Sequence, residues 1–408
     1  MSENIIRLVD LDEPDYLHES MLDDSIQFPM PVTRYGFAPQ YVFLTGTTGL
    51  LGAFLLEEWL RTTSATMVCL TRADSDELAK KRIINHLVAY GLWRDAYADR
   101  IIGLAGDISQ PSFGLDQASY MHWAERIDLV CHSAGSINMR QPYAKLKSVN
   151  VNGVVEAMRL AATVYTKPFH FVSSIAVFYS DAHPADKVLL ETEIPRYHPS
   201  LKGDYGKSKW VADRLVAAAQ EKGLPAVIYR PTRIMGHSQT GALNDTSEIL
   251  PNLIRCCILL GLYPDWEIEV TWVPVDYVST CIVRTSEKEA ACGKSLHLYN
   301  PVPVEWSTLM NHFREAGYDL VVTTYDNWRQ EVKKRSLPGS PEREFFAGIL
   351  LAFTGLHYLF HTRPSFDCRQ LADLYPEGKL HCPPIDRAMI HAYARYWEGR
   401  GFLPAAKT

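Results

Sequence analysis

The sequence predicts an α/β protein, a doubly wound parallel sheet followed by a smaller, mostly helical C-terminal lobe that would receive substrate. Three observations lead there. Short apolar runs alternate with helix-period segments from Tyr41 to about Gly236, the pattern of parallel strands joined by crossover helices. The first run, Tyr41–Leu44, passes directly into the glycine-rich turn Gly46-Thr-Thr-Gly49-Leu-Leu-Gly52 and then into the helix-like stretch Ala53–Leu60. Beyond Gly236 the rhythm breaks, and residues 237–268 and 301–408 carry aromatics, prolines and helical segments.

The elements follow in order. Residues 1–38, of mixed polarity and ending among Pro29, Pro31 and Pro39, read as a leader that lies over the domain or links to something upstream. Strand one is Tyr41–Leu44 and strand two Thr66–Thr71, with a helix over Glu77–Tyr90. Strand three is Ile101–Leu104, closing on Gly106-Asp107. Strand four starts at Asp128–Cys131 and runs out through His132 to Gly135. Val149–Thr163 reads as a helix, Phe169–Val172 as strand five, Lys207–Gln220 as an amphipathic helix, Ala226–Tyr229 as strand six and Leu296–Tyr299 as strand seven. The expected division is residues 39–236 plus 269–300 for a Rossmann-type nucleotide-binding domain and residues 237–268 plus 301–408 for the substrate lobe.

Length and composition set limits. A chain of 408 residues, 47% apolar and 22% charged, has room for a large core and roughly two domains. A formal net charge of -6 supplies no basic field for a nucleic-acid partner. The eight cysteines form no CxxC pair, and they read as reduced, buried thiols of a cytoplasmic protein without a metal site. Met1–Asp15 is acidic and polar, unlike a signal peptide. The most apolar stretch, Phe345–Phe360, is broken by Thr354 and His357 and is shorter than a bilayer span, so a buried helix and no membrane partner are expected.

The candidate chemistry sits just after strands, where ligands bind in such sheets. Gly46 allows a tight turn, Gly49 leaves room for a pyrophosphate, and Gly52 lets the helix pack on the strand. The N–H groups of the helix start, around Thr48, Leu50 and Leu51, would face the phosphates. Arg72, directly after strand two, suits the 2′-phosphate of NADPH, where an acid would suit NAD, and Arg82, Lys80 or Lys81 could join it. Asp107 could accept from the adenine amino group while Ile108 packs on the ring. Ser133, Ala134 and Gly135 are small enough to pass close to the cofactor, and His132 reads as a local hydrogen-bonding residue. Tyr205 and Lys209 form YxxxK, one face of a helix, and Ser174 stands at the end of strand five. Together they could protonate a carbonyl oxygen as hydride reaches its carbon, the ammonium drawing down the tyrosine pKa.

With these residues in place, the chain resembles an extended short-chain dehydrogenase/reductase over about residues 40–300. Within that superfamily it is most similar to the terminal thioester reductase (R) domains of nonribosomal peptide and polyketide synthases, with the reductase domains of carboxylic acid and aminoadipate reductases as relatives. The likeness rests on Val42–Gly52, Cys69–Arg72, Gly106–Ile108, His132–Asn138, Tyr143–Gly153 with Leu146 and Asn150, Arg230-Pro231 and Val273–Val278. It implies NADPH as cofactor, Pro231 and Thr232 near the nicotinamide, and a carrier protein bearing a phosphopantetheine-bound thioester as partner, in the same chain or separate. A monomer is expected. The product would be an aldehyde, or an alcohol after a second reduction. Two departures stand out: Ser174 where threonine is frequent, and Thr232-Arg233 where glycine commonly follows Arg-Pro. Three alternatives remain at this stage, namely a fatty acyl-CoA reductase, a nucleotide-sugar epimerase or dehydratase, and a non-catalytic NADP-sensing module.

Overall fold

A computed structural model describes residues 14–29, 38–184, 186–243, 249–356, 364–378 and 380–407. Its centre is a seven-stranded sheet. In chain order the strands are β1 (Tyr41–Thr45), β2 (Thr66–Thr71), β3 (Ile101–Ala105), β4 (Leu129–His132), β5 (Phe169–Val172), β6 (Ala226–Pro231) and β7 (Ser295–Leu298). Their spatial order is β7-β6-β5-β4-β1-β2-β3, and every neighbouring pair is parallel. All seven expected strands are present within two residues of their expected bounds, with the doubly wound order reversing at β1.

The sheet is buried on both faces, which is why its strands read as continuous apolar runs. Phe43, Val68 and Val130 point to one face, against helices Gly153–Ala162 and Gly203–Glu221. Val42, Leu44, Met67 and Cys131 point to the other, against Leu50–Thr62 and Val275–Ser286. Tyr16, Leu22 and Ile26, from the N-terminal segment, join the first of these cores. The C-terminal portion is helical and has its own core, built around Trp272, Trp306, Trp328 and Trp397. All eight cysteines are unbridged.

Two expectations need correction. The expected helix 149–163 does not begin as an α-helix: a π-turn, Ser148–Asn152, leads into the helix Gly153–Ala162, and a short helix, Tyr143–Lys147, precedes it. The wide turn brings Asn150 inward, where its side chain bonds the backbone of Ser136 on both sides, accepting from N at 2.7 Å and donating to O at 3.0 Å. Of the apolar stretch Phe345–Phe360, residues up to Leu356 belong to helix Arg343–Leu356; Phe346 and Ile349 are buried but Leu351 is 66% exposed, so this helix is not buried all round. Residues 357–360 lie outside the described residues, as do 1–13 and 30–37 of the expected leader. No helix among the described residues is long and apolar enough to cross a membrane.

Buried histidines make the fold acid-sensitive, His170 and His132 most strongly and His297, at a pKa of about 4, in the same direction. His170, bonded through Nδ1 to the Tyr229 hydroxyl at 2.8 Å, is held down to a pKa of about 3 by burial. His132 is held to about 3 by burial and then by the Lys209 charge. Both rings are neutral in the fold. Their contribution to stability is therefore complete above the unfolded pKa near 6.5 and is lost as pH falls toward 3, at about 1.4 kcal/mol per pH unit for each ring. Urea unfolding between pH 6.5 and 4 is expected to show this slope, and His170→Gln to reduce it by about one ring's share; an unchanged slope in the variant would contradict the assignment.

Candidate active site

The glycine turn is shaped by contacts that exclude side chains. Gly46 has φ +82°, and a Cβ there would stand 2.9 Å from Ala134 N. A Cβ on Gly52 would lie 2.0 Å from Gly46 O. Gly49 is different: its Cβ direction meets nothing closer than Gly46 O at 3.4 Å, and its backbone caps helix Leu50–Thr62 without a side-chain hydrogen bond. The first N–H groups of that helix thus stay available to an anion.

The turn forms one wall of a cavity of about 920 Å³ at the carboxyl ends of the strands. Gly46, Thr48, Gly49, Leu50, Leu51 and Gly52 line it, with Arg72 from the end of β2 and Asp107 and Ile108 from beyond β3. Ser133, Ala134 and Gly135 line it from β4, Ser174 from β5, Tyr205 and Lys209 from helix Gly203–Glu221, and Pro231 and Thr232 from β6. Of the residues named from the sequence, Arg82 and its helix neighbours Lys80 and Lys81 do not reach the cavity wall, nor does His132. Arg82 stands behind Arg72 and donates to its carbonyl at 2.8 Å. Lys80 turns away, donating to Ala98 O at 2.7 Å. Helix Asp76–Ala89 can lie this close because Gly103 has no side chain; a Cβ would stand 2.3 Å from Lys80 N.

Local bonds set each wall. Asp107 Oδ1 accepts from Ser109 N and Oγ at 2.9 and 2.8 Å, leaving Oδ2 without a hydrogen bond among the described residues. Thr45 Oγ1 accepts from the N–H groups of Ser133 and Ala134 at 3.2 and 3.1 Å. With its acceptor side filled, that hydroxyl donates to His132 Nδ1 at 3.1 Å, so His132 is the local hydrogen-bonding residue the sequence suggested. Ser174 caps a short 3₁₀ turn, Ile175–Phe178, its Oγ accepting from Ala176 N at 3.1 Å.

Tyr205, Lys209 and Asp213 recur every four residues along one helix face. The buried Lys209 ammonium donates to Val172 O at 2.9 Å, and burial lowers its pKa to about 8, partly offset by Asp213. Asp213 accepts from Ser173 Oγ at 2.7 Å and from Arg230 Nε and Nη2 at 3.0 and 2.8 Å. The helix is thereby tied to β5 and β6 beside Ser174. Asn150 joins it through Ser208 Oγ at 3.0 Å, and a Cβ on Gly135 would stand 3.4 Å from Asn150 Oδ1 and 3.5 Å from Lys209 Nζ. Asp213 was missed from sequence; its signal is a charged residue one further turn along the YxxxK face. Asn150 was seen only as part of a motif, and Lys145 and Gln141, which also line the cavity, carried no signal.

The residues fit a dinucleotide. The turn is a backbone cradle that side chains would fill, and the buried Thr232 Oγ1 at the cavity wall has no partner among the described residues. Residues 44–282 match the NAD-binding family described as male sterility protein. The chain is 32% identical over 396 residues to a linear gramicidin synthase of Brevibacillus parabrevis, covering 97% of this chain and 8% of that protein. It is 32% identical over 415 residues to glycine betaine reductase ATRR of Emericella nidulans, covering 94% and 30%. The chain thus spans less than a third of these relatives. Among solved structures, the terminal R domain from the myxalamid PKS-NRPS biosynthetic pathway superposes with a TM-score of 0.89 at 33% identity, covering 96% of this chain and 99% of that one.

Removing Asp213 strands the buried Arg230 charge, and losing one partner of such a pair costs about 3–5 kcal/mol. Asp213→Ala is expected to lose that much in urea unfolding, whereas replacing both Asp213 and Arg230 by apolar residues restores most of it. A single variant as stable as the parent would remove the pair from its structural role.

Proposed function

The chain belongs to the male sterility protein family and, by its likeness along a whole R domain, to the terminal reductase domains; from that premise we propose that it is an NADPH-dependent thioester reductase. Its substrate is an acyl or peptidyl thioester on a carrier protein, in the same chain or separate, and its product an aldehyde. The reading is supported above all by one observation: Ser174, Tyr205 and Lys209 line the same cavity as the glycine turn. It acts in the cytoplasm as a monomer.

The turn from Gly46 to Gly52 and the helix start behind it would hold the pyrophosphate. Arg72 would meet the 2′-phosphate, with Arg82 fixing its backbone; Asp107 and Ile108 would take the adenine, and Ser133–Gly135, Pro231 and Thr232 the nicotinamide half. When bound, NADPH supplies a hydride for the thioester carbon. Ser174 and Tyr205 donate hydrogen bonds to the carbonyl oxygen, where charge develops. Tyr205 then gives that oxygen its proton. Lys209, charged below its pKa of about 8, stabilises the phenolate left behind and would bond the nicotinamide ribose. The hemithioacetal collapses with cleavage of its C–S bond, the hydroxyl proton passing to the departing thiolate, so aldehyde and free carrier thiol result. No protein nucleophile is required. Further reduction to the alcohol would require a second NADPH.

Incubation with NADPH and carrier-loaded thioesters, followed by product mass spectrometry, is expected to yield an aldehyde; no reduction of any loaded carrier would reject the reading. Tyr205→Phe should lower kcat by about 10²–10⁴-fold with little change in the KM for NADPH. Arg72→Ala should raise the KM for NADPH by about 10–100-fold, the worth of a charge-assisted contact, and leave that for NADH unchanged.

A further inference from the structure

One cation of the cavity wall has no part in the scheme above. Lys145 sits on helix Tyr143–Lys147, exposed at the rim of the cavity. Its neighbour Lys147 is paired with Glu19 at 2.7 Å, but the Lys145 ammonium makes no hydrogen bond or ion pair with any described residue. An exposed lysine alone would be a solvated charge. Here the same rim also presents two large apolar side chains to water, Ile137 at 50% exposure and Met139 at 39%, with the Gln141 amide next to them.

This rim is preorganised. Asn150 grips both backbone groups of Ser136 at the base of the loop. Asn138 closes it, accepting from Arg140 N through Oδ1 at 3.0 Å and from Gln141 N through its carbonyl at 3.1 Å. The helix bearing Lys145 is anchored by Asp204 Oδ2, which accepts from Tyr143 N at 2.9 Å, and by Glu19, which takes the Tyr143 hydroxyl and Lys147. Asp204 immediately precedes Tyr205. The stretch from Gly135 to Lys145 thus contributes to one cavity two apolar groups, an amide and a cation without a partner among the described residues.

We propose that Lys145 recognises the phosphodiester of a phosphopantetheine arm, while Ile137 and Met139 pack on its dimethyl-bearing segment as the arm enters the cavity. The assignment rests on the thioester reductase reading. A carrier protein and coenzyme A both present this phosphate, and the comparison of the two in the parent protein shows which donor the site serves.

The test uses one acyl group on pantetheine, on phosphopantetheine, on coenzyme A and on a carrier, with the parent chain and the Lys145→Ala, Lys145→Glu and Lys145→Arg variants. Lys145→Ala should raise KM about tenfold for the three phosphate-bearing thioesters and leave kcat unchanged. Lys145→Glu should raise it further, and Lys145→Arg should keep most of the parent value. Reduction of the pantetheine thioester, which has no phosphate, and the KM for NADPH should not move. Equal losses with and without phosphate, a loss confined to the carrier-bound substrate, a changed KM for NADPH, or no effect at all would each overturn the proposal. In all four cases continued reduction of the pantetheine thioester leaves the reductase reading standing. A parent chain that reduces none of the four thioesters would instead end that reading, and this proposal with it.

Discussion

The buried pair of Asp213 and Arg230 is the interaction on which the shape of the cavity depends. Both side chains are almost fully removed from solvent, and their two parallel hydrogen bonds are completed by Ser173 Oγ on the same carboxylate. Such a pair adds little net stability compared with apolar packing, but it accepts only one geometry. Here that geometry fixes the rotation of helix Gly203–Glu221 about its axis. Because Tyr205, Lys209 and Asp213 share one face, seating Asp213 on β6 and on the residue before Ser174 also determines where the tyrosine and lysine point. Lys209 adds a second stitch through Val172 O. Buried polar groups thus hold the Ser174 end of the cavity, where aliphatic packing alone would leave the helix free to turn.

The other wall is held by the absence of side chains. Gly46 lies against Ala134 across the point where the strand order reverses, and Gly52 lies against Gly46. Backbone packing of this closeness brings the helix start, the end of β4 and the turn itself into one crevice. Thr45 then pins the β4 end through two N–H groups, at the cost of keeping His132 neutral and buried beside Lys209.

The outer rim is assembled from parts far apart in the chain. Tyr16, Leu22 and Ile26 of the N-terminal segment sit in the same core as helix Gly203–Glu221, and Glu19 reaches the helix that carries Lys145. The entrance to the cavity is thus fixed to a segment that precedes the sheet. The helical C-terminal portion has a separate core, centred on tryptophans, and contributes its own surface beyond β6.

The sequence by itself determined the sheet, the nucleotide turn and the residues at the strand ends. Each of these is written in a short window: an apolar run long enough to cross a buried sheet, three glycines at turn spacing, a tyrosine and lysine one helical turn apart. The tertiary structure decided what those windows could not hold. Asp213 meets Arg230 and Ser173 across 17 and 40 residues, and Tyr143 meets Asp204 across 61. The π-turn that sends Asn150 to Ser136 interrupts what reads as one continuous helix. Lys145 and Lys147 are indistinguishable in the chain, and become different only because Glu19, 128 residues away, pairs with one of them. Local periodicity records which face of an element is buried; it carries no information about which distant polar group waits on that face, and here those distant partners give the cavity its form.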